Sequence, residues 1–376
     1  MRKLIFTLLV TTIISSTFAQ ERDANQFTPI YNIEATAVKS QGNTGTCWSF
    51  SASSFIESEI FRKKGVAVDI SEMYSVRNTY EKKVENYILR QGKAQFSEGS
   101  LAHDVMNSIK ENGLVPDQVY TGNVSITGIH NHAEMFKSLD TLVNSYVKTP
   151  KEATGNWSDA INGVLDKFLG KEPNSFKFND KTYTPKSFQE AMDINPDDYV
   201  TLTSFTHHPY YETFILEIPD NFSNGVFYNL PLEEYMRVIE YALSKGYTVA
   251  LDTDVSEKSF SSKSGMATLP KDGSNDNAGI EMKIDVSNLE KVVTPENRQI
   301  EFLNYNTTDD HLMHITGLLK DQHGNKYYKV KNSWGTAGRG NGGYVYMSVP
   351  YTQMKSISLM LHKDGIPTEL REKLDL

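Results

Sequence analysis

Apolar positions in the first part of the chain recur at helical spacing. After Cys47 they fall at Phe50, Phe55, Ile56 and Ile60, and a glycine ends the run. Spacing close to three and four residues places such side chains on one face of a helix, so a helix is predicted to begin at or just before Cys47. The same criterion, with end signals from Ser, Pro, Gly and Asn, predicts further helices at residues 71–89, 99–112, 131–147, 157–169 and 232–244.

The later part of the chain is dominated by strand patterns. Short runs rich in Val, Ile, Tyr and Leu predict strands at residues 248–252, 312–319, 326–330 and 343–348. Residues 263–285 are polar and rich in Gly and Asn, so they are predicted to form a loop. Helices that precede strands along the chain, instead of alternating with them, are typical of an α+β protein.

The first residues have the pattern of an export signal. Arg2 and Lys3 precede an apolar run from Leu4 to Ile14, and small residues follow up to Ala19. This is the pattern of a secretory signal peptide over residues 1–19, which predicts an exported protein, periplasmic or secreted; an uncleaved anchor is the alternative. No later run of about 18 apolar residues exists, so no membrane contact is expected after cleavage.

Composition narrows the range of partners. The chain has 38 basic and 47 acidic residues, a net charge of −9, and loss of Arg2 and Lys3 with the signal leaves 36 against 47, or −11. Nucleic acid is therefore not an expected partner, because phosphate binding needs clustered basic residues. Cys47 is the single cysteine, so no disulfide can form within the chain. It is either a buried structural thiol or a reactive group.

The residues around Cys47 favour a reactive group. A helix N-terminus presents unpaired N–H groups and a positive dipole, which stabilise a thiolate. A thiolate that attacks a carbonyl also needs a base, a group that orients the base, and donors for the oxyanion. Gln41 stands six residues before Cys47, and far along the chain His311 and His314 precede the segment Asn332-Ser333-Trp334-Gly335.

These motifs together resemble the papain-like cysteine peptidases. The resemblance implies that Gln41 lies in the oxyanion hole, that Cys47 is the nucleophile, and that His311 is the general acid and base. Asn332 is then the residue that orients the histidine. His311 matches the family position better than His314 because it stands six residues before Gly317. His314 is then expected to point to the other face of the same strand.

The spacing points to one branch of that family. His311 follows Cys47 by 264 residues, against about 130–150 in papain-type chains, and the sequence between resembles the bleomycin hydrolase and aminopeptidase C branch. This implies a papain-like two-lobed fold, with a helical lobe, a β-barrel-like lobe and a long, largely helical insertion. The expected parts are the signal at 1–19, the helical lobe at 20–123, the insertion at 124–230, the β-rich lobe at 231–360 and a C-terminal arm at 361–376.

The resemblance also implies substrate-binding residues. Glu98 and Gly99 stand where the family has a Gly-Gly pair, one of which bonds the substrate backbone, and Glu98 is either an anchor for a basic group or an ordinary loop carboxylate. Trp48 follows the nucleophile, and Trp334 covers the Asn–His pair. No metal is expected, because the paired histidines His130, His132, His207 and His208 lack a third ligand at a recognised spacing. No nucleotide-binding motif and therefore no cofactor is indicated.

The implied reaction is hydrolysis of peptide substrates through a thioacyl-enzyme. In the resembling branch the C-terminal arm lies in the cleft and enforces aminopeptidase activity, and members often form hexamers, so a homo-oligomer is one expectation. Because residues 361–376 make a short arm, an endopeptidase is an alternative to an aminopeptidase. A peptide-binding scaffold of the same fold, without catalysis, is a further alternative.

Overall fold

The computed structural model describes residues 26–124, 128–151, 157–271 and 290–376. The predicted signal peptide lies outside these residues, and so does most of the predicted loop at 263–285. No helix of the described chain is long and apolar enough to cross a membrane.

Helices occupy most of the first half of the described chain. They are α1 (Cys47–Lys64), α2 (Glu72–Leu89), α3 (Ala102–Asn112), α4 (Ala133–Lys148), α5 (Trp157–Leu169), α6 (Pro185–Ala191), α7 (Leu232–Ser244), α8 (Pro295–Leu303), α9 (Val349–Lys355) and α10 (Thr368–Lys373).

The strands are concentrated in the second half. They are β1 (Thr28–Asn32), β2 (Phe176–Phe178), β3 (Lys181–Tyr183), β4 (Tyr199–Thr203), β5 (Thr213–Ile215), β6 (Val226–Asn229), β7 (Val249–Thr253), β8 (Phe260–Ser261), β9 (Met266–Ala267), β10 (His311–Lys320), β11 (Lys326–Lys331), β12 (Tyr344–Ser348) and β13 (Ser356–His362).

One mixed sheet runs through the molecule. Its strand order is β5-β6-β4-β13-β7-β10-β11-β12-β9-β8, with β1 paired to β10, while β2 and β3 form a separate hairpin. Most neighbours are antiparallel, but β4 pairs with β6, and β12 with β9, in parallel. β10 is the central strand, since β7 pairs with its first half and β11 and β1 with its second.

Helix α1 is buried on every side for most of its length. Its residues from Cys47 to Ile60 are all buried, because one side packs on β10 and the others face α2 and α3. The helix ends at Gly65, whose φ of 66° is left-handed and favours glycine. The basic side chains of its last turn, from Arg62 to Lys64, face the negative end of the helix dipole.

Two apolar cores lie on the two faces of the sheet. The first joins α1 to α5 with Leu312 of β10, and the second joins α7 and α10 with Met313 and Ile315 of the same strand. The strand thus alternates its side chains between the cores. Its first residue, His311, lies at the end of the sheet where α1 begins.

The structure confirms the α+β class, and the predicted insertion has two different halves. Helices α4 and α5 lie at the predicted positions, with α5 at residues 157–169 as expected. Residues after 175 instead form the hairpin and the strands β4 to β6, which extend the main sheet through β13. The strand patterns did not predict these elements, and β2, β3 and β5 have only three residues each.

The C-terminal segment packs on the second core. Leu370 and Leu374 are buried there, and Lys373 lies 2.9 Å from Glu234 of α7. Within the described chain, no hydrogen bond or ion pair joins residues 363–376 to Cys47, His311 or Asn332.

Candidate active site

Cys47 is the first residue of α1 and is buried against β10. Its N-terminal cap, Thr46, makes no side-chain hydrogen bond to the helix. The Cys47 sulfur accepts a hydrogen bond from the backbone N–H of Leu312, the residue after His311. This contact brings the N-terminus of α1 to the start of β10, although 264 residues separate Cys47 from His311 in sequence.

His311 is paired with Asn332 beneath an aromatic cover. Its Nε2 lies 2.8 Å from Asn332 Oδ1, which also accepts from the Ser333 backbone N–H at 2.7 Å. The Trp334 ring lies 4.7 Å from the imidazole at 35°. With Nε2 donating to Asn332, Nδ1 is the ring nitrogen left to accept or deliver a proton.

Burial favours the uncharged forms of both Cys47 and His311. It raises the pKa of the Cys47 thiol to about 12, and the acidic side chains of Asp309, Asp220 and Asp252 add to the shift. It lowers the pKa of His311 to about 4 against the opposing hydrogen bond from Asn332. Burial thus opposes a thiolate–imidazolium pair at this site. The mutual attraction of the two charges and the hydrogen bond from the Leu312 N–H are the interactions that favour the pair.

Gln41 is fixed in place by three hydrogen bonds. Its backbone N–H donates to the Ser333 carbonyl at 2.8 Å, and its Oε1 accepts from the Ser333 hydroxyl at 2.6 Å. Its Nε2 donates to the Thr44 carbonyl at 2.7 Å, which leaves the second amide N–H available. Ser333, which sequence reasoning missed, therefore ties the Gln41 loop to the segment that carries Asn332.

Trp48 and Glu98 support the loop before Cys47. The Trp48 indole N–H donates to the Glu98 carbonyl at 3.0 Å, and Glu98 Oε2 accepts from the Gly45 backbone N–H at 2.7 Å. The indole of Trp48 has no exposed surface, so in this structure it lies beneath the site and does not line it. Partial burial raises the pKa of Glu98, which the sequence did not lead us to expect.

Gly99 is covered by a neighbouring carboxylate. A Cβ atom at this position would lie 1.9 Å from Asp220 Oδ2, so a larger residue fits only if the Asp220 side chain moves. The Gly99 carbonyl accepts a hydrogen bond from Lys83 Nζ, which leaves its second lone pair.

His314 does not join the site. It is buried against α1, with Nδ1 2.9 Å from the Ser54 hydroxyl and its ring 6.1 Å from that of Phe55. Burial and the nearby Lys331 hold its pKa well below the usual range. Its side chain is 1% exposed.

Two groups in the described chain have ligand atoms close enough to hold a metal ion. One is His207, His208 and Glu217, and the other is Glu57, Asp69 and Glu72. In the first, Glu217 accepts from His208 Nε2 at 2.8 Å, and in the second, Lys39 forms ion pairs with Asp69 and Glu72. Hydrogen bonds and ion pairs thus satisfy both groups, and neither indicates a metal. The sequence analysis did not identify Glu217 as a third possible ligand, because it stands ten residues from His207 in the chain.

The fold and these contacts define a papain-like cysteine peptidase. Residues 94–376 match the family model described as the Peptidase C1-like family, and residues 21–164 match the papain family cysteine protease model. The chain belongs to the Peptidase C1-like family and is a cysteine peptidase.

Curated relatives match along nearly the whole chain. Aminopeptidase G of Lactobacillus delbrueckii subsp. lactis is 23% identical, with 94% of this chain and 87% of the relative covered. Aminopeptidase C of the same organism is 26% identical, with 91% and 83% covered. These relatives support the bleomycin hydrolase and aminopeptidase C branch predicted from sequence.

A solved structure shares the fold. The crystal structure of PepW from Lactobacillus rhamnosis HN001 superposes with a TM-score of 0.71 at 19% identity, with 93% of this chain and 84% of that chain covered. The papain-like fold predicted from sequence is confirmed.

Proposed function

We propose that this protein is an exported aminopeptidase, in which Cys47 is the nucleophile and His311, Asn332 and Gln41 complete the catalytic site. The observation that carries the proposal is the His311–Asn332 pair under Trp334, joined to the Cys47 sulfur through the Leu312 N–H. The names of the relatives support aminopeptidase activity, and the pattern of residues 1–19 supports export.

In the proposed mechanism each of these residues has a step in the reaction. The Cys47 thiolate attacks the substrate carbonyl carbon, and the oxyanion takes hydrogen bonds from the free N–H of Gln41 Nε2 and from the Cys47 backbone. As the C–N bond breaks, His311 Nδ1 gives its proton to the leaving amine, and a thioester remains. His311 then takes a proton from water, which attacks the thioester and releases the acid and the thiolate.

Variants of the two reacting residues test this mechanism. Cys47→Ala and His311→Ala should abolish hydrolysis of fluorogenic aminoacyl substrates while circular dichroism and thermal unfolding show a folded protein. An epoxide inhibitor of thiol proteases should label wild-type Cys47. The His314→Ala variant is the matched control for the histidine, and it should still be labelled. Wild-type turnover that persists in Cys47→Ala would contradict the mechanism.

An endopeptidase is the second candidate function. The observation that favours it is the packing of residues 363–376 against α7 and the second core, because an arm placed there does not restrict the cleft. Efficient hydrolysis of N-acetylated substrates would support the endopeptidase, whereas a strong preference for free N-termini supports the aminopeptidase.

Export has a separate test. Expression of the full chain with a C-terminal tag should give a mature protein outside the cytoplasm, with an N-terminus at or near Gln20 by mass spectrometry. Retention of residues 1–19 on a cytoplasmic protein would contradict export without affecting the catalytic assignment.

A further inference from the structure

Three buried or half-buried aspartates lie beside the thiol and have no role in the steps above. Asp252 is on β7 directly opposite Leu312 of β10, the residue whose N–H bonds the Cys47 sulfur. Asp309 stands two residues before His311, and Asp220 covers Gly99. All three carboxyl groups act on the Cys47 thiol through space.

Asp252 and Asp309 place their carboxyl groups against each other. Asp252 is 2% exposed. Its Oδ2 accepts from the Ser358 hydroxyl at 3.3 Å, but within the described chain its Oδ1 and Asp309 Oδ2 have no donor. The two carboxyl groups contact each other, and contact between two such acceptors requires a proton or a cation between them.

Asp220 closes the cluster from the side of Gly99. Its backbone N–H donates to the Asp309 carboxylate, and its own Oδ1 accepts from Gln95 at 2.7 Å and Ser97 at 3.3 Å. Lys83 is the cation beside it. Lys83 interacts with the charges of Asp220 and Asp309. The buried negative charge of the cluster that Lys83 does not offset must be neutralised by protons or by a further cation.

A peptide whose first residue is being cleaved places a cation at this point. Its α-nitrogen lies about 2.5 Å from the carbonyl carbon that the thiolate attacks, as backbone bond lengths dictate. Carboxyl groups whose charges act on the Cys47 sulfur therefore also act on that ammonium. The Asp220 carboxylate lies over Gly99, where the papain-like resemblance implies a bond to the substrate backbone, so a longer chain bound there would meet Asp220.

We propose that Asp220, Asp252 and Asp309 form a subsite for the α-ammonium group of the substrate, which confines cleavage to the first peptide bond. This proposal rests on the proposed function, since it takes Cys47 as the nucleophile. Selection for a free N-terminus then comes from side chains of β7, of the segment before β10 and of the segment between β5 and β6. The C-terminal segment takes no part in it.

The test compares substrates with free and blocked N-termini. Alanyl and lysyl fluorogenic substrates are each assayed free and N-acetylated on wild type, Asp252→Asn, Asp309→Asn and Asp220→Asn. For both free substrates, kcat/KM should fall by about 10- to 100-fold in the variants, mainly through KM. The N-acetylated substrates should be cleaved as slowly as before or faster.

Asp310→Asn is the matched control, since it removes the same charge one residue away at an exposed position. It should keep the wild-type preference for free N-termini. An unchanged preference in all three cluster variants overturns the proposal, and so does a loss confined to lysyl substrates, because that result assigns the cluster to a basic side chain.

A measurement on the wild-type protein tests the proposal without the variants, and so does not depend on whether they fold. Alaninamide should slow epoxide labelling of Cys47, whereas propionamide, which has the same shape without the amine, should not. Equal protection by the two amides overturns the proposal. Absence of labelling and of turnover in wild type would instead contradict the proposed function, so the two failures are distinguishable.

Discussion

At the residue scale, the site depends on contacts that fix orientation. The Asn332 amide holds Nε2 of His311, and Ser333 holds both the backbone and the side chain of Gln41. The segment Asn332-Ser333-Trp334-Gly335 therefore orients both the His311 ring and the Gln41 amide. Each of these contacts is buried, so removing one leaves a partner without a hydrogen bond.

Asn332→Ala should lower kcat/KM for aminoacyl substrates by about 100-fold. The reason is that His311 loses the group that fixes its tautomer and its ring position, and Asn332 also raises the pKa of His311. Steady-state kinetics and the rate of epoxide labelling check this result, and both should fall together. Asn304→Ala, at the exposed end of α8, should leave both rates unchanged.

Glu98 offers a second test at this scale. Its carboxylate accepts from the Gly45 N–H, and glutamine can accept the same bond, so Glu98→Gln should keep kcat/KM within about fivefold of wild type. Glu98→Ala should lower kcat/KM further, because the loop before Cys47 then loses its hydrogen bond to the Glu98 carboxylate. A large loss of activity on free substrates in Glu98→Gln alone would show that Glu98 binds the substrate cation.

At the element scale, α1 and β10 carry the site between them. The helix brings Cys47 and the strand brings His311, and their packing in the first core sets how closely the two approach. Since α1 is buried on nearly all sides, its position is strongly determined by the surrounding side chains.

Ile56→Ala should lower the free energy of unfolding by about 2–5 kcal/mol, because it opens a cavity at a fully buried position of α1. Phe61→Ala on the same helix is the control. Its side chain is 43% exposed, so a loss below about 1 kcal/mol is expected. Urea denaturation followed by circular dichroism measures both. Equal losses would contradict the view that α1 is held by its core contacts.

Elements with strong local signals were predictable from sequence, and elements defined by tertiary contacts were not. The helix α7 lies at the predicted residues 232–244 because it has an amphipathic pattern, a preceding proline and acidic residues in its first turn. β13 is buried at every position, so it has no alternation to recognise. In the site, Cys47, His311 and Asn332 stand in local motifs, whereas Asp252 approaches the thiol only through the pairing of β7 with β10.

At the scale of the whole molecule, buried acids make stability depend on pH. Burial raises the pKa of Glu57 and Asp309 to about 7 and that of Glu72 to about 8. In the unfolded chain these groups ionise near pH 4. Between pH 4 and 8 these three groups therefore hold more protons in the folded protein than in the unfolded chain, and their contribution to stability falls as the pH rises.

The free energy of unfolding should fall by about 1 kcal/mol between pH 7.5 and 8.5. Buried histidines do not reverse this sign, because the pKa values of His132 and His311 are lowered to about 3 and about 4, and unfolded histidines are already neutral above pH 7.5. Glu72→Gln should flatten the slope measured by denaturant titration, and Glu111→Gln, an exposed carboxylate, should not. A rise in stability over this interval would contradict the expectation.

The position of β13 has a consequence for the order of folding. This strand, residues 356–362, pairs with β4 on one side and β7 on the other, so residues 199–203 and 249–253 cannot join one sheet until the last part of the chain has been synthesised. Pairing over such sequence separations is slow, and until then both strands expose unpaired edges. The nascent chain therefore keeps two strand edges unpaired until residues 356–362 have been synthesised, which makes the joining of β4 to β7 a late step of folding.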